Sequence, residues 1–393
     1  MAYTETRNIS WFERLKNSVL GIVTGFALIA FATWLLWWNE GDTFKTAGAI
    51  GEAELAVQDV PDISQRDPNL EGKLIHATGF ANTDDILTDP IFGIQSKAIK
   101  LEREVEFYQY VENTHKETRK KLGGGEEEIT TYTYEHKWYS SPVNSSSFHD
   151  PAYRDRNFVL ANVDDNTILA KNVSFGAYKL PDFLKRQIGG AAPINITDYN
   201  SDSVKNIVHA PANYNASGNL IHASGSVIYI GSNPASPQIG DVRISFKETL
   251  PADITIIAQV IRDTFEPFTA SNGYSFSRLA MGTVGSAIMF ENARSENNMM
   301  AWIFRAIGAV CVMFGLGMIM KPLSVIFDII PFLGDIVGAG TGLIAFVLGL
   351  AWSLIVIAIA WLRYRPLIAG GLIAAALILI ILLRNKGKQS MNA

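Results

Sequence analysis

Four apolar runs stand apart from a long middle stretch in which apolar and polar residues alternate. Crossing the hydrocarbon core of a bilayer takes about 20 apolar residues in a helix. The run at 19–38, "VLGIVTGFALIAFATWLLWW", meets that length without a charge. The run at 301–320 does so with one arginine, Arg305, near its start. The third, 336–362, is long enough to tilt, and the fourth, 366–383, is shorter but adequate. The first run exceeds the ~7–15 residues of a cleaved leader and no small-x-small site follows it. It ends in Trp34, Trp37 and Trp38, which suit a membrane–water interface, so it reads as a retained anchor.

Between the first and second runs the period falls to two. Ile99, Leu101, Val105, Phe107 and Val111 occupy alternate positions of 96–112, which predicts a half-buried strand. The segment 129–141 is rich in Thr, Tyr and Trp, and the intervening "KKLGGGEEE" at 120–128 reads as a loop, so the two form a long β-hairpin. Residues 241–250 and 253–261 predict another strand pair, 180–189 a short helix, and 282–298 a helix leading into the second span. "GKLIHATG" at 72–79 and "GNLIHASG" at 218–225 repeat nearly the same phrase, each ahead of a Pro-bearing turn and a strand. They suggest two related structural units, around 72–115 and 218–262. The expected fold class is α+β: a four-helix transmembrane region with a large strand-rich extracytoplasmic domain, residues 39–300, inserted between spans one and two.

Charge sets the expected orientation. Residues 41–300 carry 23 Lys/Arg against 33 Asp/Glu, while basic residues flank the spans: Arg7, Arg14, Lys16, Lys321, Arg384, Lys386 and Lys388. The positive-inside tendency then places residues 1–18 and 384–393 in the cytoplasm and the acidic block, loop 120–128 included, across the membrane. Arg363 and Arg365, in the turn between spans three and four, oppose that majority. An acidic block argues against nucleic acid as a partner, since phosphate contacts need clustered basic residues. One cysteine, Cys311 in an apolar run, excludes an intrachain disulfide.

Candidate chemistry is sparse. The linker 321–335, "KPLSVIFDIIPFLGD", is apolar and interrupted by Pro322 and Pro331, as an interfacial or re-entrant segment is. Its Asp328 and Asp335, with Arg305, Arg363 and Arg365, are the candidate membrane-functional residues; capping a helix or facing water is the plainer role for the acids. His76 and His222 hold equivalent repeat positions and form a candidate pair if their faces meet, whereas a strand histidine satisfied by its neighbours is the ordinary case. Gly315, Gly338, Gly342 and Gly370 are candidate helix-packing positions for self-association. No zinc spacing, phosphate loop, nucleophile elbow or dinucleotide fingerprint occurs, so neither a cofactor nor an enzymatic activity is expected. Two functions follow: a membrane scaffold acting through self-association and partner binding, or a channel, transporter or lipid-handling protein using 321–335; an enzyme in the outer domain is a weaker third, which requires His76, His222 and carboxylates to converge in a cleft.

The order of segments resembles the transmembrane protein 43 (LUMA) family. The resemblance rests on "WWNEGDTFKT" (37–46), "GKLIHATG", "DPIFGIQSKAIKLEREVEFYQYVE" (89–112), "TYEHKW" (133–138), "GDVRISF" (240–246), "WIFRAIG" (302–308), "PLSVIFDIIPFLGDIVG" (322–338) and "WLRYRPL" (361–367). It implies four spans, cytoplasmic or nucleoplasmic termini, a large luminal domain, oligomerisation, and an envelope-organising role without established enzymatic activity. Eukaryotic members reside at the inner nuclear membrane and endoplasmic reticulum with lamins and emerin as partners. The short basic ends here carry no nuclear signal, which favours a prokaryotic member in a bacterial plasma membrane, with the bilayer, other copies and envelope proteins as partners.

Overall fold

The structure is a computed structural model that describes residues 2–367. Its principal elements are β1 (Ala2–Ile9), α1 (Trp11–Ala56), β2 (Leu74–Asn82), β3 (Lys100–Lys120), β4 (Glu126–Tyr139), β5 (Ile221–Ser224), β6 (Val227–Ile230), β7 (Val242–Thr249), β8 (Ala252–Ile261), α2 (Ser286–Phe327) and α3 (Pro331–Tyr364). Among the described residues, three helices are long and apolar enough to cross a membrane: Trp11–Ala56, Ser286–Phe327 and Phe332–Tyr364. Beyond its first two residues, the fourth predicted run, 366–383, lies outside the described residues, as does Gly370.

Each of the first two helices outruns its apolar stretch. Ser10 caps α1 by accepting from the Glu13 amide, and Glu13 complements the positive helix start. The helix then continues 18 residues past Trp38, about 27 Å at 1.5 Å per residue, before Val57 turns extended. Residues 282–298 behave as expected in kind: α2 starts at Ser286 and runs unbroken into the second apolar run. It also runs on through Pro322 to Phe327, and Pro331 opens α3 at a first-turn position that suits proline. The linker 321–335 is therefore two helix ends joined by a turn at residues 328–330.

The body is built on two large sheets, with two short two-stranded pairs beside them. One large sheet has the order β1–β4–β3–β7–β6–β5, with short strands beside β7 and β3. The other centres on β2 and β8, paired antiparallel from Ala252↔Ala81 to Gln259↔Leu74. Ile75, Ala77, Ile254, Ile256 and Val260 face a core shared with Leu101, Val105, Phe107, Ile228, Val242, Ile244 and Phe246 of the first sheet. The opposite face of β2 and β8, at Leu74 and Ile257, packs on Ile50 and Ala53 of α1 and on Met289, Phe290 and Ala293 of α2. The second sheet is thus sandwiched between the first sheet and two helix ends, which explains its near-continuous apolar run "DITIIAQVI".

The predicted hairpin is present and longer than the alternation suggested. β3 and β4 pair from Phe107↔Tyr139 to Lys120↔Glu126, and β1 adds a third strand from Ala2↔Thr133 to Ile9↔Glu126. Its root is fixed by the loop after β4. The Tyr134 hydroxyl (2.6 Å) and the His149 amide (2.7 Å) both donate to Glu112, while Tyr153 stacks on Tyr134 and His149 on Tyr132. Beyond that root the three-stranded ribbon stands away from the body, and its flanking strands are largely exposed at 2–8 and 113–120.

The two repeated phrases do not build equivalent units. Gly72 and Gly218 share a left-handed conformation, with φ of 73° and 68°. Gly79 then sits within β2, where a Cβ would meet Ile63 and Phe175, whereas Gly225 turns the chain between β5 and β6 at φ 58°. The copies lie in different sheets. The helix expected over 180–189 shrinks to Asp182–Lys185.

Candidate functional site: an ion cluster where the ribbon meets the helix ends

The ribbon tip turns through Gly123 and Gly124, at φ of 85° and 81°, a region only glycine enters without strain. Gly124 also has no room for a side chain, because a Cβ would lie 2.3 Å from the Trp11 ring. The tip thereby reaches the start of α1 and the α2–α3 turn. Gly123 N–H donates to the Ile329 carbonyl (3.2 Å), and Trp11 Nε1–H donates to the Val325 carbonyl (2.8 Å).

Asp328 sits at the centre. Its carboxylate accepts from Arg14 Nη2 at 2.5 Å and from Lys120 Nζ at 2.6 Å. Arg14 also reaches Glu126 (2.6 Å) and the Gly124 carbonyl (2.5 Å), and Lys120 reaches Asp335 (2.7 Å). Burial pushes the Asp328 carboxyl up, but hydrogen bonds and charge from Lys120 and Arg14 outweigh it and hold the group below the ordinary aspartate range. Burial acts on Lys120 in the opposite sense, and its two carboxylate partners raise it overall. Gly334 is fixed by the same carboxylate, since a Cβ there would lie 1.7 Å from Asp328 Oδ1.

Asp328 and Asp335 are therefore brought together, and both pair with Lys120. Asp328 also ends α2, so its backbone has the plainer capping role while its side chain does more. The charges that motivated a transport reading of 321–335 are engaged by cations of the ribbon and α1. The charge-based reading set loop 120–128 with the body, across the apolar zone from Arg14; the structure places Gly124 and Arg14 in hydrogen-bond contact. Lys120 and Arg14 were invisible as partners because they lie 208 and 314 positions from Asp328.

A second cluster ties the bundle at its body end. Arg305 does not run out to an interface. Its Nε and Nη2 donate to the two oxygens of Glu40 at 2.6 and 2.8 Å, and Trp361 Nε1–H donates to Glu40 at 2.7 Å. The guanidinium lies over the rings of Trp302 (4.8 Å) and Trp361 (5.8 Å). One acid of α1 so joins α2 and α3. The charge in "WWNEGD", directly after the first span, was the available signal. Arg363 is exposed near the end of α3 and Arg365 follows it, with its amide bonded to the Trp361 carbonyl.

The remaining candidates separate. Gly315 serves packing within the chain: it crosses Gly25 of α1, and a Cβ on Gly25 would meet the Gly315 carbonyl at 2.6 Å. Among the described residues, Gly338 has only Ser324 within 4 Å and Gly342 has no neighbour within that distance. His76 and His222 do not meet. His76 Nδ1 pairs with Asp59 (2.8 Å) and its Nε2 with the Val284 carbonyl (2.9 Å), beside the start of α2. His222 lines a cleft of about 220 Å³ with Trp138, Tyr229 and Arg243, and among the described residues its buried Nε2 has no partner. Among the described residues no group of His, Cys, Asp and Glu is arranged to hold a metal ion.

The family model for transmembrane protein 43 matches residues 107–366. The chain is 29% identical to the transmembrane protein 43 of Rattus norvegicus over 386 residues, covering 96% of this chain and 92% of the relative. Identity to the Homo sapiens protein is 28% over 387 residues with the same coverage, and to the Drosophila melanogaster homolog 25% over 382 residues, 95% and 94% of the two chains. No solved structure matches the chain. A family model spanning well over half the sequence, through most of β3, β4, β7, β8, α2 and α3, settles the kinship: this chain belongs to the transmembrane protein 43 family.

Proposed function

We propose that the protein is a non-enzymatic, multi-pass membrane scaffold that presents its strand-rich body and ribbon to other copies and to envelope proteins. The observation that carries this reading is the pair of ion clusters, Glu40–Arg305 at one end of the bundle and Asp328–Arg14–Lys120 at the other. The first ties the three helices to one another, and the second ties the ribbon tip to the helix ends. The three helices expose large apolar side chains such as Val23, Phe26, Phe314, Phe346 and Leu354, which suits a lipid surround. A bacterial plasma membrane is the residence favoured by the sequence.

The test is extraction and sizing. Membranes from expressing cells are washed with alkaline carbonate, and the protein solubilised in mild detergent is sized by light scattering. Retention in the pellet and a discrete oligomer support the scaffold. Release by carbonate, or a monomer with no cross-links in native membranes, overturns it.

A further inference from the structure

The ribbon poses a problem that the membrane reading makes acute. From Glu112 to Lys120 it extends about 26 Å at 3.3 Å per residue, close to the ~30 Å of a hydrocarbon core. It runs from the body to Trp11 and Arg14, alongside the apolar run 19–38 of α1. Yet its strands carry Glu5, Arg7, Lys116, Glu117, Arg119, Glu127 and Glu128. Its two outer edges are open as well. Tyr110 N–H is still covered, by Asn157, but among the described residues no hydrogen bond reaches the outer backbone of 113–120 or of β1. Lipid cannot face unpaired strand edges, since hydrocarbon offers their amides nothing.

We infer that the open edge of β1 in one copy pairs with the open edge of β3, residues 113–120, in the next copy, so that the ribbons close in a ring inside the helix bundles. This rests on the membrane reading above and names the surface through which self-association acts. Three features fit the occupant. The two edges are the same length, eight residues, and lie at the same height: Ala2 is level with Thr133 and Asn113, and Ile9 with Glu126 and Lys120. Both strands run toward the tip, so equally oriented copies meet as a parallel pair. At equal height Glu5 faces Lys116 of the neighbouring copy, which complements charge, and within its own chain Lys116 has only a 3.5 Å contact to Glu128. Joining two different edges is a heterologous contact, which closes when the rotation per copy divides a full turn.

Paired cysteines test it. Thr4 and His115 flank Thr131 within one chain, two strand spacings or roughly 9.6 Å apart, beyond the ~7 Å limit for a disulfide. Chains carrying Thr4→Cys are co-expressed with chains carrying Asn113→Cys, His115→Cys or Glu117→Cys, all in a Cys311→Ser background, and native membranes are oxidised mildly. The expected result is a reducible dimer in at least one mixture, on the order of tenfold above either chain alone. No dimer in any mixture, or an equal dimer from Thr4→Cys alone, overturns the edge contact. Light scattering on the unoxidised variants separates the two readings: an oligomer without the β1–β3 link sinks only this contact, and a monomer sinks self-association too.

Discussion

Replacing Asp328 by Asn removes one charge from the ribbon latch while keeping its shape, and the geometry fixes what should follow. The Asp328 side chain is 0% exposed, Arg14 8% and Lys120 28%, so two cations lose their shared partner in a largely dry site. Breaking a buried pair from one side costs about 3–5 kcal/mol. Here Arg14 keeps Glu126 and the Gly124 carbonyl, and Lys120 keeps Asp335, so the low end, about 3 kcal/mol, applies. Asp335→Asn is the control, because that carboxylate is 67% exposed and a bridge of that kind is worth about 0–1 kcal/mol. The readout is amide hydrogen exchange at 121–125 in lipid nanodiscs, since Gly123 N–H is bonded to Ile329 and reports tip opening. Asp328→Asn should speed exchange there about a hundredfold and Asp335→Asn less than about fivefold, taking roughly 1.4 kcal/mol per decade. The pH dependence carries a sign. A carboxyl held low in the folded state stabilises the latch above its unfolded pKa of about 3.9 and loses that contribution as pH falls through the lower folded value. Tip exchange, corrected for its intrinsic rate, should therefore be flat from about pH 5 to 8 and rise only in stronger acid. Equal effects of the two variants, or an opening between pH 5 and 7, would refute the argument.

Three further outcomes are expected. Glu40→Gln leaves Arg305 without a counter-charge and should lower detergent-phase stability by about 3 kcal/mol, while Trp361→Phe, which removes one bond to that carboxylate, should cost about 1.5–3 kcal/mol; thermal denaturation ranks them. Gly25→Ala places a methyl against the Gly315 carbonyl and should cost about 1–3 kcal/mol, whereas Gly342→Ala, with no neighbour within 4 Å among the described residues, should be neutral or stabilising by about 0.5–1 kcal/mol. His76→Ala loses both ring contacts beside α2 and should destabilise by about 1–3 kcal/mol, against little change for His222→Ala, whose Nε2 has no partner; the same melts decide.

How much of this was legible depended on whether the signal was local. Apolar length announced the helices, and alternation from Ile99 to Val111 announced β3, because burial on one face writes itself into neighbouring positions. β1 escaped notice for the converse reason. "AYTETRNI" has no apolar face, and it becomes a strand through backbone pairing with β4. The repeat misled because eight letters carry no register. Gly79 packs inside a strand and Gly225 makes a turn, and the difference is set by Phe175 and Ile63, far from either phrase. The latch aspartate stands out in sequence as an acid in an apolar segment, yet its side-chain partners Arg14 and Lys120 come from α1 and β3, and no spacing rule joins them.

The placing of charge at the two ends of the bundle follows from the solvent the helices face. Between helices in lipid the hydrophobic effect supplies no attraction, because the tails are as apolar as the side chains they replace. Close approach at Gly25 and Gly315 supplies dispersion, and Leu36 packing onto Gly308 repeats the device, but such contacts alone tolerate sliding and rotation. A bidentate Arg305–Glu40 pair fixes α1 and α2 in height and angle at the body end. Asp328, through Arg14, does the same where α1 begins, and Lys120 extends the fixed frame to the ribbon. Charges nearer the middle would carry the full cost of hydrocarbon, whereas at the ends each is shielded by protein and near water. The ribbon is then held at both ends, and among the described residues no hydrogen bond or ion pair ties it to the helices between, which is the geometry a closing surface for further copies requires.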